Sequence, residues 1–126
     1  MVGVDRVERR IELPLPPEEV WPALSEGRRI SEWFGATSDL RPEPGSRATF
    51  RWPDDRERGA VVETVEPGRR LTLRWLPIER LPDGRTVVIG SGRIELALEP
   101  AGTGSVLTVT EWGPTYARIP ELQATR

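Results

Sequence analysis

Two carboxylates interrupt apolar strand-like runs: Glu63 in VVETV and Glu111 in TVTEW. On the wall of a cavity, such a carboxylate binds a polar ligand group, or serves as a base once burial has raised its pKa. On the outer face it is a solvated side chain paired across strands, with Arg74 or Arg51 as partner. A register slip of one residue exchanges the two outcomes, and the outward reading is the plainer one. The second group is aromatic. Phe50, Trp52, Trp75 and Trp112 lie on strand-like runs in a chain of 126 residues with five tryptophans. They read equally as core filling and as a wall that stacks a flat or apolar ligand. Trp21, Trp33 and Phe34 read as core. The candidate ligand-binding set is therefore Phe50, Trp52, Glu63, Trp75, Glu111 and Trp112.

Composition removes most other chemistries. The chain has no cysteine and no histidine. That excludes disulfides, thiol catalysis, zinc–thiolate sites, Ser-His-Asp triads and imidazole bases. All eighteen basic residues are arginine, so no Schiff-base lysine exists. Catalysis would rest on carboxylates, Tyr116, hydroxyls, arginine or a borrowed cofactor, and no residue set asks for a cofactor. The chain reads as a binder more than an enzyme.

The remaining polar clusters have bland readings. Asp54, Asp55 and Glu57 are interleaved with Arg56 and match no cation loop, so they read as a solvated turn and not a metal site. Gly90-Ser91-Gly92 lacks the lysine and following helix of a phosphate loop. Arg28-Arg29 and Arg69-Arg70 are basic pairs on surface turns, suited at most to an acidic partner. The formal net charge is −2 with the signs interspersed, which argues against nucleic acid. No apolar run approaches the ~18 residues that span a bilayer. The N-terminus MVGVDRVERR has no apolar signal region. The expectation is a cytoplasmic, single-domain protein over residues 1–126.

The elements that position these residues follow from periodicity. Residues 4–13 alternate, with Val7, Ile11 and Leu13 on one face: a half-buried strand. PPEEVWPALSEGRRISEWFG reads as two short helices broken at Gly27, the first shortened or kinked by Pro22. Period-two texture then runs to Trp112. Strands are expected near 38–40, 47–52, 57–66, 71–76, 93–99 and 106–112, with a looser stretch from Pro77 to Gly92. Asp83-Gly84 suits a two-residue hairpin there. Tight turns between sequential strands make the sheet antiparallel.

The opening strand, the helical segment, PGSRATFRW, GAVVETVEPGRRLTLRW and RIELALEPAGTGSVLTVTEWG together resemble the SRPBCC (START-like, helix-grip) superfamily, in the branch related to the activator of the heat-shock protein 90 ATPase. The resemblance spans residues 4–113 and rests on the order and spacing of these pieces. It implies an α+β helix-grip fold, a curved antiparallel sheet of about six or seven strands with two short helices after the first. It also implies a cavity for an apolar small molecule. A co-chaperone role toward a heat-shock ATPase, or a polyketide cyclase or dehydratase activity, are its other implications. The family's long C-terminal helix has no counterpart here, because only GPTYARIPELQATR follows Trp112 and it contains Pro114 and Pro120. On this reading the domain is C-terminally incomplete. Leu71, Leu73, Trp75, Ile94, Leu96, Leu98, Leu107 and Val109 then form an apolar face with nothing to cover it. Self-association is expected as a two-fold homodimer, through these faces or through Tyr116, Ile119 and Leu122 of the tail.

Overall fold

The structure, a computed structural model, describes residues 5–27, 29 and 35–113. β1 (Asp5–Leu13) is followed by α1 (Pro17–Ser25) and then seven strands: β2 (Thr37–Ser38), β3 (Arg47–Arg51), β4 (Glu57–Glu66), β5 (Arg70–Arg80), β6 (Thr86–Val88), β7 (Gly92–Ala101) and β8 (Gly104–Gly113). They form one curled antiparallel sheet in the order β1-β8-β7-β5-β4-β3-β2, with β6 added beside β5. This is the expected α+β helix-grip architecture, with eight strands in place of six or seven.

α1 begins as its sequence dictates. Pro17 occupies the first turn, where no N–H partner is needed, and Glu18 and Glu19 face the positive end of the helix dipole. Pro22 lies inside the helix, which ends three residues later at Ser25. The Ser25 hydroxyl donates to the Trp21 carbonyl at 3.0 Å. The break falls at Glu26, which takes extended backbone angles, and Gly27 already belongs to the next helical turn; its N–H donates to the Leu40 carbonyl at 3.2 Å. A Cβ at Gly27 would come within 2.5 Å of the Ser38 carbonyl oxygen, so this turn needs glycine to lie against the segment entering β3. Of the second helix expected after this break, Gly27 and Arg29 are described and helical; its remaining residues, Trp33 among them, fall outside the described residues, as do Tyr116 and the tail.

Alternation places the core. The inward row Val7, Glu111, Ile94, Leu73, Val62 crosses five strands. Beside it runs Arg9, Val109, Leu96, Leu71, Val65. Val20 and Leu24 of α1, together with Ala36 and Leu40, join the same buried cluster. The eight residues read from sequence as an uncovered face are each at most 4% exposed within the single chain. That corrects the premise of the expected association. The curl of the sheet, α1 and the 36–40 segment already take part in this core, so a wet apolar face does not call for a second copy.

The stretch from Pro77 to Gly92 is more regular than its sequence suggests. β5 continues to Arg80 and folds back on β6, pairing Ile78 with Val88 and Arg80 with Thr86. Asp83 and Gly84 do turn this hairpin, but within a longer loop: Leu81 N–H donates to the Arg85 carbonyl at 2.8 Å and Gly84 N–H to the Leu81 carbonyl at 2.9 Å.

On the outer face beyond Trp75, Glu57 bonds Arg51 and Arg80, the latter at 3.0 Å between guanidinium and carboxylate. Hydrogen bonds from Arg80 first, then from Arg51, hold its carboxyl below the usual glutamate range. Because its folded pKa is lowered, the linked stability is complete above the ordinary range of about pH 4–5 and is lost as the pH falls through the lowered value. Arg80→Ala should move the Glu57 titration upward, toward the unperturbed range. A carboxyl-carbon NMR titration reads this directly, and an unmoved midpoint would remove the role given to Arg80.

Candidate functional site on the concave face

Phe50, Trp52 and Trp75 meet on the inward face. The ring centroids of Phe50 and Trp75 are 5.2 Å apart, edge to face at 68°. Trp52 lies 6.4 Å from each of the other two rings. These are the separations at which aromatic quadrupoles attract. Trp75 arrives through β5, opposite Ala60 of β4 and Gly92 of β7. Those two small partners leave room for the indole. Ala48 and Ala60 do the same one strand further on, beside Phe50.

Two arginines and a glutamate complete the cluster. Arg58, 2% exposed, stands opposite Phe50 on one side and Glu79 on the other. Its Nε donates to the Leu76 carbonyl at 3.1 Å and its Nη2 to the Gly90 carbonyl at 2.8 Å, while the guanidinium lies 5.2 Å from the Trp75 ring centroid. Arg56 sits 5.5 Å over the Trp52 ring and 3.7 Å from the buried Glu79 carboxylate. The turn that carries Arg56 is built by the acidic cluster. The Trp52 backbone N–H donates to the Arg56 carbonyl at 3.0 Å, Asp55 takes a left-handed φ of 71°, and Asp54 accepts from both the backbone N–H and the Nε of Arg56. The backbone N–H of Arg56, and then its guanidinium, keep Asp54 below the usual aspartate range. The cluster is thus a turn that aims an arginine, and no group of three potential metal ligands occurs among the described residues.

The six residues singled out from the sequence divide between the two faces. Phe50, Trp52 and Trp75 come together. Glu111 also faces inward, on β8 between Val7 and Ile94, and is 5% exposed. Glu63 and Trp112 do not join them. Glu63 lies at an irregularity in the β4–β5 register and points outward, where Arg74 at 3.2 Å and Arg93 at 3.0 Å hold its carboxylate. Trp112 follows the inward Glu111 and so falls on the outer side, opposite Arg6 and Arg93. It lines an open depression of about 340 Å³ with Arg74 and Arg93. Arg56, Arg58 and Glu79 were not among the sequence candidates. The basic pair Arg69-Arg70 is locally balanced: Arg69 lies 3.6 Å from Glu66, and Arg70 lies 3.9 Å from Glu66 and 3.5 Å from Glu95.

Chemically, the concave cluster offers ring faces, two indole N–H donors and a guanidinium. The Nε1 atoms of Trp52 and Trp75 are both buried, and neither has a hydrogen-bond partner among the described residues. No helix among those residues is long and apolar enough to cross a membrane.

Comparison with solved structures supports the fold. A protein from Mesorhizobium loti superposes with a TM-score of 0.74 at 24% identity, covering 96% of this chain and 82% of its own. A protein from Arthrobacter aurescens gives 0.72 at 18% identity, covering 98% and 81%. DynU16, a protein in the dynemicin biosynthetic locus, gives 0.73 at 25% identity over 96% of this chain, which spans only 42% of that protein. A search of curated proteins found no match. The family model described as Activator of Hsp90 ATPase homolog 1-like protein matches residues 14–126, and the chain belongs to that family.

Proposed function

We propose that the protein binds a flat, largely apolar small molecule on the concave face of the sheet, against Trp52 and Trp75, without covalent chemistry. The observation that carries this reading is the pair of buried indole N–H groups with no partner among the described residues. A buried donor left unmatched costs about 1–3 kcal/mol. An oxygen acceptor on a bound ring system recovers part of that cost at each indole. The neighbouring rings and the guanidinium of Arg58 add stacking and cation–π attraction. The likeness to a protein of a natural-product biosynthetic locus agrees with a small-molecule ligand. The lack of histidine and cysteine agrees with binding in place of catalysis.

A panel of lipids, flavonoids and polyketides titrated against tryptophan emission tests this. Saturable quenching by at least one oxygenated ring compound is expected. Trp52→Phe and Trp75→Phe keep a ring and remove the N–H, and each should weaken that binding several-fold. Emission unchanged across the panel would remove the proposal.

Glu111 favours a second reading, because an inward, buried carboxylate is the group that a cyclase- or dehydratase-like reaction needs. Glu111→Gln distinguishes the two: a binder keeps its affinity, whereas an enzyme loses turnover of the bound compound. For the co-chaperone reading, which rests on the family name, stimulation of a heat-shock ATPase by the purified protein is the direct assay.

A further inference from the structure

β1 forms one end of the sheet, paired to β8 on one side, and no described strand lies on its other side. Exposed strand edges are sites for pairing with another chain, and charged side chains usually discourage it. The charges on β1 are unusual in their order. Its outward residues are Arg6, Glu8, Arg10 and Glu12, alternating in sign along one face. All four are exposed. Arg6 and Glu8 lie 3.3 Å apart on their own strand, while Arg10 and Glu12 make no ion pair among the described residues. We infer that β1 is a self-complementary edge that pairs antiparallel with β1 of a second copy of this chain, about a two-fold axis at Arg9.

The register follows from arithmetic on the sequence. With Arg9 opposite its own copy, Arg6 faces Glu12, Glu8 faces Arg10, and the two-fold repeats both. Every outward pair is then of opposite sign. Sliding the partner two residues one way opposes Arg6 to Arg10 and Glu8 to Glu8. Sliding it two residues the other way opposes Glu8 to Glu12 and Arg10 to Arg10. A slide of one residue turns the outward set against the inward one. Opposite-charge pairs directly across strands are favourable, and like pairs are unfavourable. One register therefore stands apart from its neighbours.

The backbone agrees with this register. β7 and β8 are joined by the two-residue turn Gly102-Thr103, with Ala101 opposite Gly104 and φ at Gly102 of 60°. The residues flanking such a turn form a hydrogen-bonded pair. Alternation then assigns the even-numbered residues of β8 to β7 and the odd-numbered ones to β1. The odd residues of β8 are opposite odd residues of β1, as in Ile11 with Leu107 and Arg9 with Val109. The even residues of β1 therefore turn their N–H and C=O groups to the free edge. These are the same residues, 6, 8, 10 and 12, whose side chains match in the proposed register. On the inner side Val7 meets Ile11 of the copy. Arg9 meets Arg9, the one opposed pair of like sign, and it marks the place where the association is improvable.

This two-fold association differs from the face-to-face dimer expected from the sequence, since the concave face takes no part in it. Light scattering on a gel-filtration peak tests it. At low salt and roughly hundreds of micromolar, where mass action favours association, the mass should approach twice the 14.2 kDa of the chain and should fall as salt screens the pairs. Glu8→Arg places arginine against arginine twice and should return the mass to that of one chain. Glu8→Arg combined with Arg10→Glu restores opposite signs and should restore the dimer. Arg9→Thr should strengthen it. Far-UV circular dichroism confirms that each variant folds, as expected for exposed positions. A single-chain mass under all these conditions would overturn the inference. So would a dimer indifferent to Glu8→Arg, or one that the double exchange fails to rescue.

Discussion

Trp75→Ala is expected to cost about 3–5 kcal/mol of unfolding free energy, the range for truncating a large buried aromatic. Trp75 is 0% exposed. It makes the edge-to-face contact with Phe50, the 6.4 Å contact with Trp52 and the cation–π contact with Arg58. Its partners across the strands, Ala60 and Gly92, are too small to fill the space it leaves. The cavity therefore persists, and the cost sits at the upper part of the range. Urea denaturation followed by circular dichroism measures it. A loss under about 0.5 kcal/mol, the size expected of a surface change, would show that the indole is not packed as the structure places it.

Arg58→Met is expected to cost about 2–4 kcal/mol. Hydrogen bonds to charged groups contribute about 1.5–3 kcal/mol each. Arg58 donates two of them, to the carbonyls of Leu76 and Gly90, and both carbonyls lose that donor in the variant. Methionine keeps most of the apolar stem, which isolates the loss of the guanidinium from loss of packing. The buried Glu79 opposite also loses a cation from its surroundings and keeps Arg56. Urea denaturation at pH 7 measures the loss. An Arg58→Met variant as stable as the parent at pH 7 would mean that the guanidinium is not tied to those carbonyls.

The inward rows were legible because alternation survives in them. Leu71, Leu73 and Trp75, and likewise Ile94, Leu96 and Leu98, fall on one face by period two alone, and all are buried. Glu63 takes the outward reading, with Arg74 as its partner, and leaves the candidate ligand-binding set because β4 changes phase. Val62 and Val65 are three apart, yet both turn toward the core, and only a register irregularity between Val62 and Thr64 allows it. Glu63 then falls outside, where Arg74 and Arg93 hold it more cheaply than any apolar wall would. Trp112 and Glu111 are neighbours on one strand and so cannot share a face. Glu111 shares the parity of the core residues Leu107 and Val109 and so turns inward, against its plainer outward reading, and Trp112 turns outward.

Arg58 was legible in principle. Arg58, Ala60 and Val62 alternate at the start of β4, and the only objection to an inward Arg58 is its charge. Glu79 was hidden by the reading of β5 as ending near Leu76. Pro77 looks like a terminator, but the strand passes through it to Arg80. The buried charges Arg58 and Glu79, opposite each other on β4 and β5, are thus the part of the site that sequence polarity conceals. Burial of a charge is a tertiary fact, settled here by partners far along the chain: Leu76 and Gly90 for Arg58, and Arg56 for Glu79.

The indole N–H resonances of Trp52 and Trp75 provide the most direct test of the binding account. Nitrogen–proton correlation spectra resolve one indole peak per tryptophan, and Trp→Phe substitutions assign them. With an oxygenated ring compound that quenches emission, the account predicts that the Trp52 and Trp75 peaks shift downfield as each N–H gains an acceptor. The Trp112 peak, on the outer face, should stay in place. Movement of the Trp112 peak with those of Trp52 and Trp75 unchanged would contradict the account and move the ligand to the other side of the sheet.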